Sequence, residues 1–175
     1  MTLERGLSIA VGALSLAIVL TLLTTHAAPN GVGPDREAAA YMVELVNEVR
    51  VEEGLAPLRA AEDIAEVAER WSATMAERRD MRHNPRFGEE ICCWQVATEN
   101  VAWSEPHRVW RPGDPVLRIT DELHAALLDS PGHRANLLDP GVDEVGIGVH
   151  VDRDGNVWIT QNFRRSRGTA EAATG

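Results

Sequence analysis

The chain has 175 residues and a formal net charge of −10, from 27 acidic and 17 basic side chains. That balance disfavours nucleic acid and anionic lipid as electrostatically recruited partners, since both carry the same sign as the protein. The two cysteines, Cys92 and Cys93, are adjacent, which excludes a zinc knuckle, whose paired ligands are separated by intervening residues.

Residues 6–23 (GLSIAVGALSLAIVLTLL) carry no charge, with Glu4 and Arg5 before them and the small residues Thr25 and Ala27 after. A polar head, an apolar run and a small-x-small site form the pattern of a secretory signal. The run also reaches the length at which a helix spans a bilayer. Residues 1–27 are therefore either a signal peptide cut after Ala27 or an N-terminal membrane anchor. Both place the rest of the chain outside the cytoplasm, secreted or anchored to the outer face of the membrane. What remains is enough for one compact domain and too short for two typical ones.

Residues 28–34 are a Pro/Gly-rich linker. Asp35 is a suitable N-cap for a first helix running to about residue 53 and stopped by Gly54. Met42, Leu45, Val46 and Val49 form its apolar stripe. A second helix is predicted from about 61 to 82, with Ile64, Val67, Ala68, Trp71 and Met75 on one face. Residues 84–95 are irregular and 98–103 read as a short strand. Residues 104–115 form a loop holding three prolines, His107 and Trp110. Helical spacing returns over 116–128, and Ser130-Pro131 opens a short helix through 138. Val145, Ile147, Val149 and Val151 alternate with Gly146, Gly148, His150 and Asp152, the pattern of a half-buried strand. Asp154-Gly155 supplies a hairpin turn. The return strand, 157–163, sets Val157, Ile159, Gln161 and Phe163 on one face, and 164–175 read as a disordered tail. Helices combined with an antiparallel hairpin argue for an α+β fold with helices packed on a sheet. For the adjacent cysteines, three states stay open: a strained ring disulfide, two free thiols, or bonds to another chain.

Four segments carry a resemblance to a known family. They are MRHNP (81–85), TENVA (98–102), SPGHRANLL (130–138), and VGIGV (145–149) with WITQNF (158–163). In this order they resemble the bacterial branch of the CAP superfamily, which includes cysteine-rich secretory proteins, antigen 5 and plant pathogenesis-related 1 proteins. The resemblance implies a three-layer α-β-α sandwich with a central antiparallel sheet over residues 35–163. It also implies a cleft that gathers two histidines with acidic residues, where some members bind a divalent metal. The matching positions are His83, Glu99 and His133. Glu122 is the candidate for a fourth, acidic member, although its helix lacks the W-x-x-E spacing of the eukaryotic branch.

Two imidazoles and a carboxylate suit a divalent metal such as zinc and leave a coordination position open. The same trio could instead bind protons near neutral pH. Taken singly, each residue could simply satisfy local backbone groups. His124 reads as solvated or capped, His107 and His150 as surface residues, and Asn100 and Asn136 as turn and cap residues beside the cleft. There is neither an H-E-x-x-H helix nor a G-x-S-x-G elbow. The expected function is a binding or interaction module for an extracellular small-molecule, lipid, sterol or cell-wall ligand, or for another exported protein. The alternative is a metal-dependent hydrolase acting outside the cell, with Glu99 as base.

Overall fold

Helix α1 (Pro34–Glu52) begins at Gly33 rather than at Asp35. Proline suits the first helical position because its φ is already helical and it has no N–H to leave unpaired. Asp35 therefore falls in the first turn, where its charge favours the positive end of the helix. The helix stops at Gly54, whose φ of +76° is open to glycine without strain. The structure is a computed structural model, and it describes residues 33–104 and 116–167.

The remaining elements, in order, are β1 (Arg59–Ala60), α2 (Glu62–Arg78), α3 (Phe87–Glu90), β2 (Trp94–Trp103), α4 (Val116–Asp129), α5 (Pro131–Leu137), β3 (Glu144–Val151) and β4 (Val157–Ser166). The strands form one sheet in the order β1-β3-β4-β2. β3 and β4 pair antiparallel as expected, with Val149 opposite Ile159, and β2 adds antiparallel to β4. The short β1, which the sequence pattern did not reveal, lies parallel to β3.

Helices α1 and α4 pack on one face of the sheet, where Met42, Val46, Leu123, Leu127, Val145, Val149 and Ile159 belong to one buried cluster. Helix α2 covers the other face, with Trp71 and Met75 against Val101 and Trp158, and Ile64 and Val67 in a further cluster. This is the expected three-layer sandwich. It also corrects the reading of β3 as half-buried, because β3 is buried on both faces from Glu144 to Val149. Gly146 and Gly148 are not solvent-facing. A Cβ on Gly146 would lie 2.3 Å from Ala65 N, and one on Gly148 would lie 2.1 Å from Ala68 C. Alternating valine and glycine here means that a helix backbone rests directly on the strand.

Other boundaries shift for tertiary reasons. α2 ends at Arg78, because Arg79 turns left-handed (φ 52°) and the Arg79 and Asp80 amides close on Ala76 and Met75 carbonyls. β2 begins at Trp94 rather than Thr98, since β4 offers partners as far as Ser166. The tail expected from residue 164 starts later. Arg164 is a buried strand residue that pairs with Glu144 and Asp63, and charge alone had suggested solvent. Residues 168–175 and the 105–115 loop, with His107 and Trp110, lie outside the described residues, as does the 6–23 run. Among the described residues no helix is long and apolar enough to cross a membrane. Of the three cysteine states, the disulfide holds: Cys92 and Cys93 are bonded to each other, on the surface.

Candidate functional site

His83 lies in the extended stretch after the left-handed stop of α2. Trp71 fixes that stretch from below by donating its indole N–H to the Arg82 carbonyl at 2.9 Å. The next residue, Asn84, is buried and acts as a clamp. Its side-chain carbonyl accepts from Arg86 N–H at 2.9 Å, its amide nitrogen donates to Glu90 at 3.1 Å, and its backbone N–H donates to Glu99 Oε1 at 2.9 Å. The same Glu99 oxygen lies 2.9 Å from His83 Nδ1. The HNP segment thus ties the end of α2 to the middle of β2. The sequence reading passed over Asn84, although its place in that motif was the available signal.

Glu99 is buried, while the His83 side chain is 63% exposed. Burial raises the Glu99 carboxyl above its ordinary value, against the lowering effect of hydrogen bonds from Asn84 and His83. Its second oxygen, Oε2, is buried without a hydrogen-bond partner. An unpaired buried carboxylate oxygen is costly, which is why this acid favours a proton more than a surface glutamate does.

His133 approaches from the other side of the sheet, on α5. Asn100 donates to the His133 carbonyl at 3.0 Å and to Gln161 Oε1 at 3.1 Å. Asn136 donates to Asn100 Oδ1 at 2.9 Å and to the Glu99 carbonyl at 3.3 Å. These asparagines are therefore not turn and cap residues. They clip α5 to β2, which forms one edge of the sheet. Arg50, itself buried, holds the far end of α5 by donating to the Leu137 and Asp139 carbonyls at 2.8 and 3.0 Å. His133 is half-buried. Burial lowers its pKa, and so does the nearby His83, which places the two imidazoles within electrostatic reach.

The other candidates behave differently. Glu122 faces solvent on α4 and pairs with Arg118 at 2.8 Å, one helical turn away. His124, expected to be solvated or capped, is buried, and neither ring nitrogen has a hydrogen-bond partner. Desolvation lowers its pKa. His150 is partly exposed, 3.8 Å from Asp35. Among the described residues, no group of three or more His, Cys, Asp or Glu side chains is arranged to hold a metal ion.

The cysteine-rich secretory protein family model matches residues 43–163. The chain belongs to that family. Among curated proteins, the uncharacterized YkwD of Bacillus subtilis (strain 168) is 28% identical over 148 residues, covering 80% of this chain and 51% of YkwD. The chain thus spans about half the length of the curated relative it matches. An extracellular SCP-domain protein from Bacillus anthracis str. Ames has a similar structure (TM-score 0.59, 26% identity), covering 75% of this chain and 41% of that one. An outer surface protein from Borrelia burgdorferi shares the fold at TM-score 0.60 and 18% identity, covering 75% of this chain and 94% of the other. In this family member, His83 and His133 flank Glu99 of β2, the outer strand of the sheet.

Proposed function

We propose that this member of the cysteine-rich secretory protein family is an exported binding module. It takes an extracellular small-molecule, lipid or cell-wall ligand, or another exported protein, at the rim formed by His83 and His133. Export is supported by the uncharged 6–23 run and by the extracellular SCP-domain relative. The use the fold makes of Glu99 favours binding over hydrolysis. Its Oε1 is committed to His83 Nδ1 and the Asn84 amide, and its Oε2 is buried. A carboxylate so placed orients an imidazole and fixes its tautomer, leaving Nε2 of His83 for a ligand. It is poorly placed to take a proton from an attacking water. His133, whose pKa is lowered by burial and by the nearby His83, offers a second imidazole to polar groups of a ligand.

The donor set also fits weak capture of a divalent ion such as zinc, held by His83 and His133, with Glu99 orienting the His83 ring. Such an ion would supply an electrophilic contact for ligand oxygen. We expect Zn²⁺ titrated into the purified protein to bind, and His83→Ala with His133→Ala to abolish that binding. Retention on isolated cell wall or on lipid vesicles should survive a chelator, or weaken only modestly. Chelator-sensitive turnover of a peptide, ester or glycan, lost in Glu99→Gln, would instead establish the hydrolase.

A further inference from the structure

Among the described residues, the edge of the sheet opposite β2 is incomplete. β1 pairs with β3 only through Arg59↔Glu144 and Ala60↔Val145, after which the chain leaves the sheet to begin α2. The Val145 carbonyl accepts from the Ala61 N–H at 2.9 Å, so odd-numbered residues of β3 point their backbone groups away from β4. The next residues so oriented are Ile147 and Val149, and no strand lies beyond β1 in the described sheet. The side chains of Ile147 and Val149 belong to the core under α1 and α4, while the two residues also line a groove of about 330 Å³ between α1 and α2. Among the described residues no strand pairs with this part of β3 on the β1 side.

The walls and rim of this groove indicate what would complete it. Ala39 and Ala40 of α1 and Ala65 of α2 keep it narrow and open. A volume near the lower end of the ligand-pocket range, about 300–1,000 Å³, admits a short extended segment and not a helix, whose diameter is about 10 Å. Among the described lining residues, Asp35, Glu62, Glu66 and Glu69 are acidic and Arg36 is basic. A second copy of this chain would bring the same acidic rim, which disfavours self-pairing across the edge.

We propose that the open edge of β3, from Ile147 to Val149, is a strand-addition site for an extended, lysine- or arginine-bearing peptide segment of another protein. Main-chain hydrogen bonds to Ile147 and Val149 give affinity, small side chains fit between Ala39 and Ala65, and basic side chains meet Glu62, Glu66 and Glu69. This site lies on the opposite sheet edge from His83 and His133 and stands whether or not that cleft takes a ligand.

The test is titration of the full chain with a synthetic capped peptide of alternating lysine and valine, and with the same peptide N-methylated at alternate residues. The unmodified peptide should bind and slow hydrogen exchange of the Ile147 and Val149 amides by about tenfold or more. N-methylation should abolish both effects. Glu66→Lys with Glu69→Lys should weaken binding by about tenfold or more, and Ala39→Leu should weaken it by narrowing the groove. All three positions are exposed or half-exposed, so the melting temperature of each variant is the control for folding. Equal binding of both peptides would show that the groove takes apolar chains rather than strands and would overturn the proposal. So would exchange protection confined to His83 and His133, concentration-dependent self-association that the peptide does not compete, or no binding at millimolar peptide.

Discussion

Glu99 concentrates the chemistry of the proposed site in one side chain. It is buried, hydrogen-bonded through one oxygen and orphaned at the other. Its carboxyl is raised above the unfolded value of 4.5, mainly by burial, so the folded state holds the proton more tightly than the unfolded chain. Stability from this group is therefore fully present below about pH 4.5 and is lost as pH rises through the folded value. We expect Glu99→Gln, which keeps the acceptor for Asn84 N–H, to flatten that part of the stability profile. The variant should gain up to about 1 kcal/mol at pH 7, read from urea unfolding at pH 5 and pH 7. A loss at pH 7 would show that the fold relies on the carboxylate charge beside His83. His124 and His133 act in the opposite sense. Their lowered values make the folded state bind protons less tightly, so their contribution is present above the unfolded value of 6.5 and falls away below it.

At the scale of elements, α2 packs directly against the backbone of β3. Gly146 and Gly148 allow it, since a Cβ at either would lie within 2.6 Å of helix atoms, backbone among them. We expect Gly148→Ala to cost about 3 kcal/mol or more, at the severe end for a single added methyl, because backbone on both sides must move. A drop in melting temperature of only a degree or two would mean that α2 can slide. The adjacent disulfide behaves differently. Bridging neighbours closes almost no loop, so it removes little entropy from the unfolded chain. Reducing Cys92–Cys93 should change the unfolding midpoint by less than about 1 kcal/mol. A large loss would mean that the ring holds Cys93, with its φ of 64°, in a turn needed by β2.

At the largest scale, the described residues form a sheet covered on both faces, and both proposed sites lie at its two edges. At the β2 edge, His83 arrives from the α2 layer and His133 from the α5 side, so the proposed site needs both layers docked. Arg50 from α1 reaches α5 on the same face of the sheet and braces that arrangement. Partial unfolding of α5 would remove His133 from the rim without disturbing the His83–Glu99 pair. The Zn²⁺ capture proposed above should therefore be more sensitive to denaturant than the Trp71 and Trp158 core that α2 covers.

Much of this was legible in order along the chain. Periodic stripes marked α1, α2 and α4, Ser130-Pro131 marked the start of α5, and Asp154-Gly155 marked the hairpin, because these signals depend on neighbours within a turn or two. The linear spacing of HNP, TEN and SPGHRANLL also carried the family. Tertiary structure decided what depends on residues far apart. Whether the glycines of β3 face water or a helix depended on α2, more than seventy residues upstream in the case of Gly148 and Ser72, which share a hydrogen bond. Arg164 became a strand residue rather than the start of a tail because Glu144 and Asp63 were brought to it. Glu122 and His124 are two residues apart on α4, yet packing left one partly exposed beside Arg118 and buried the other. Local sequence fixes which way a backbone tends to turn, while the dielectric around a side chain is set by whatever the fold packs against it.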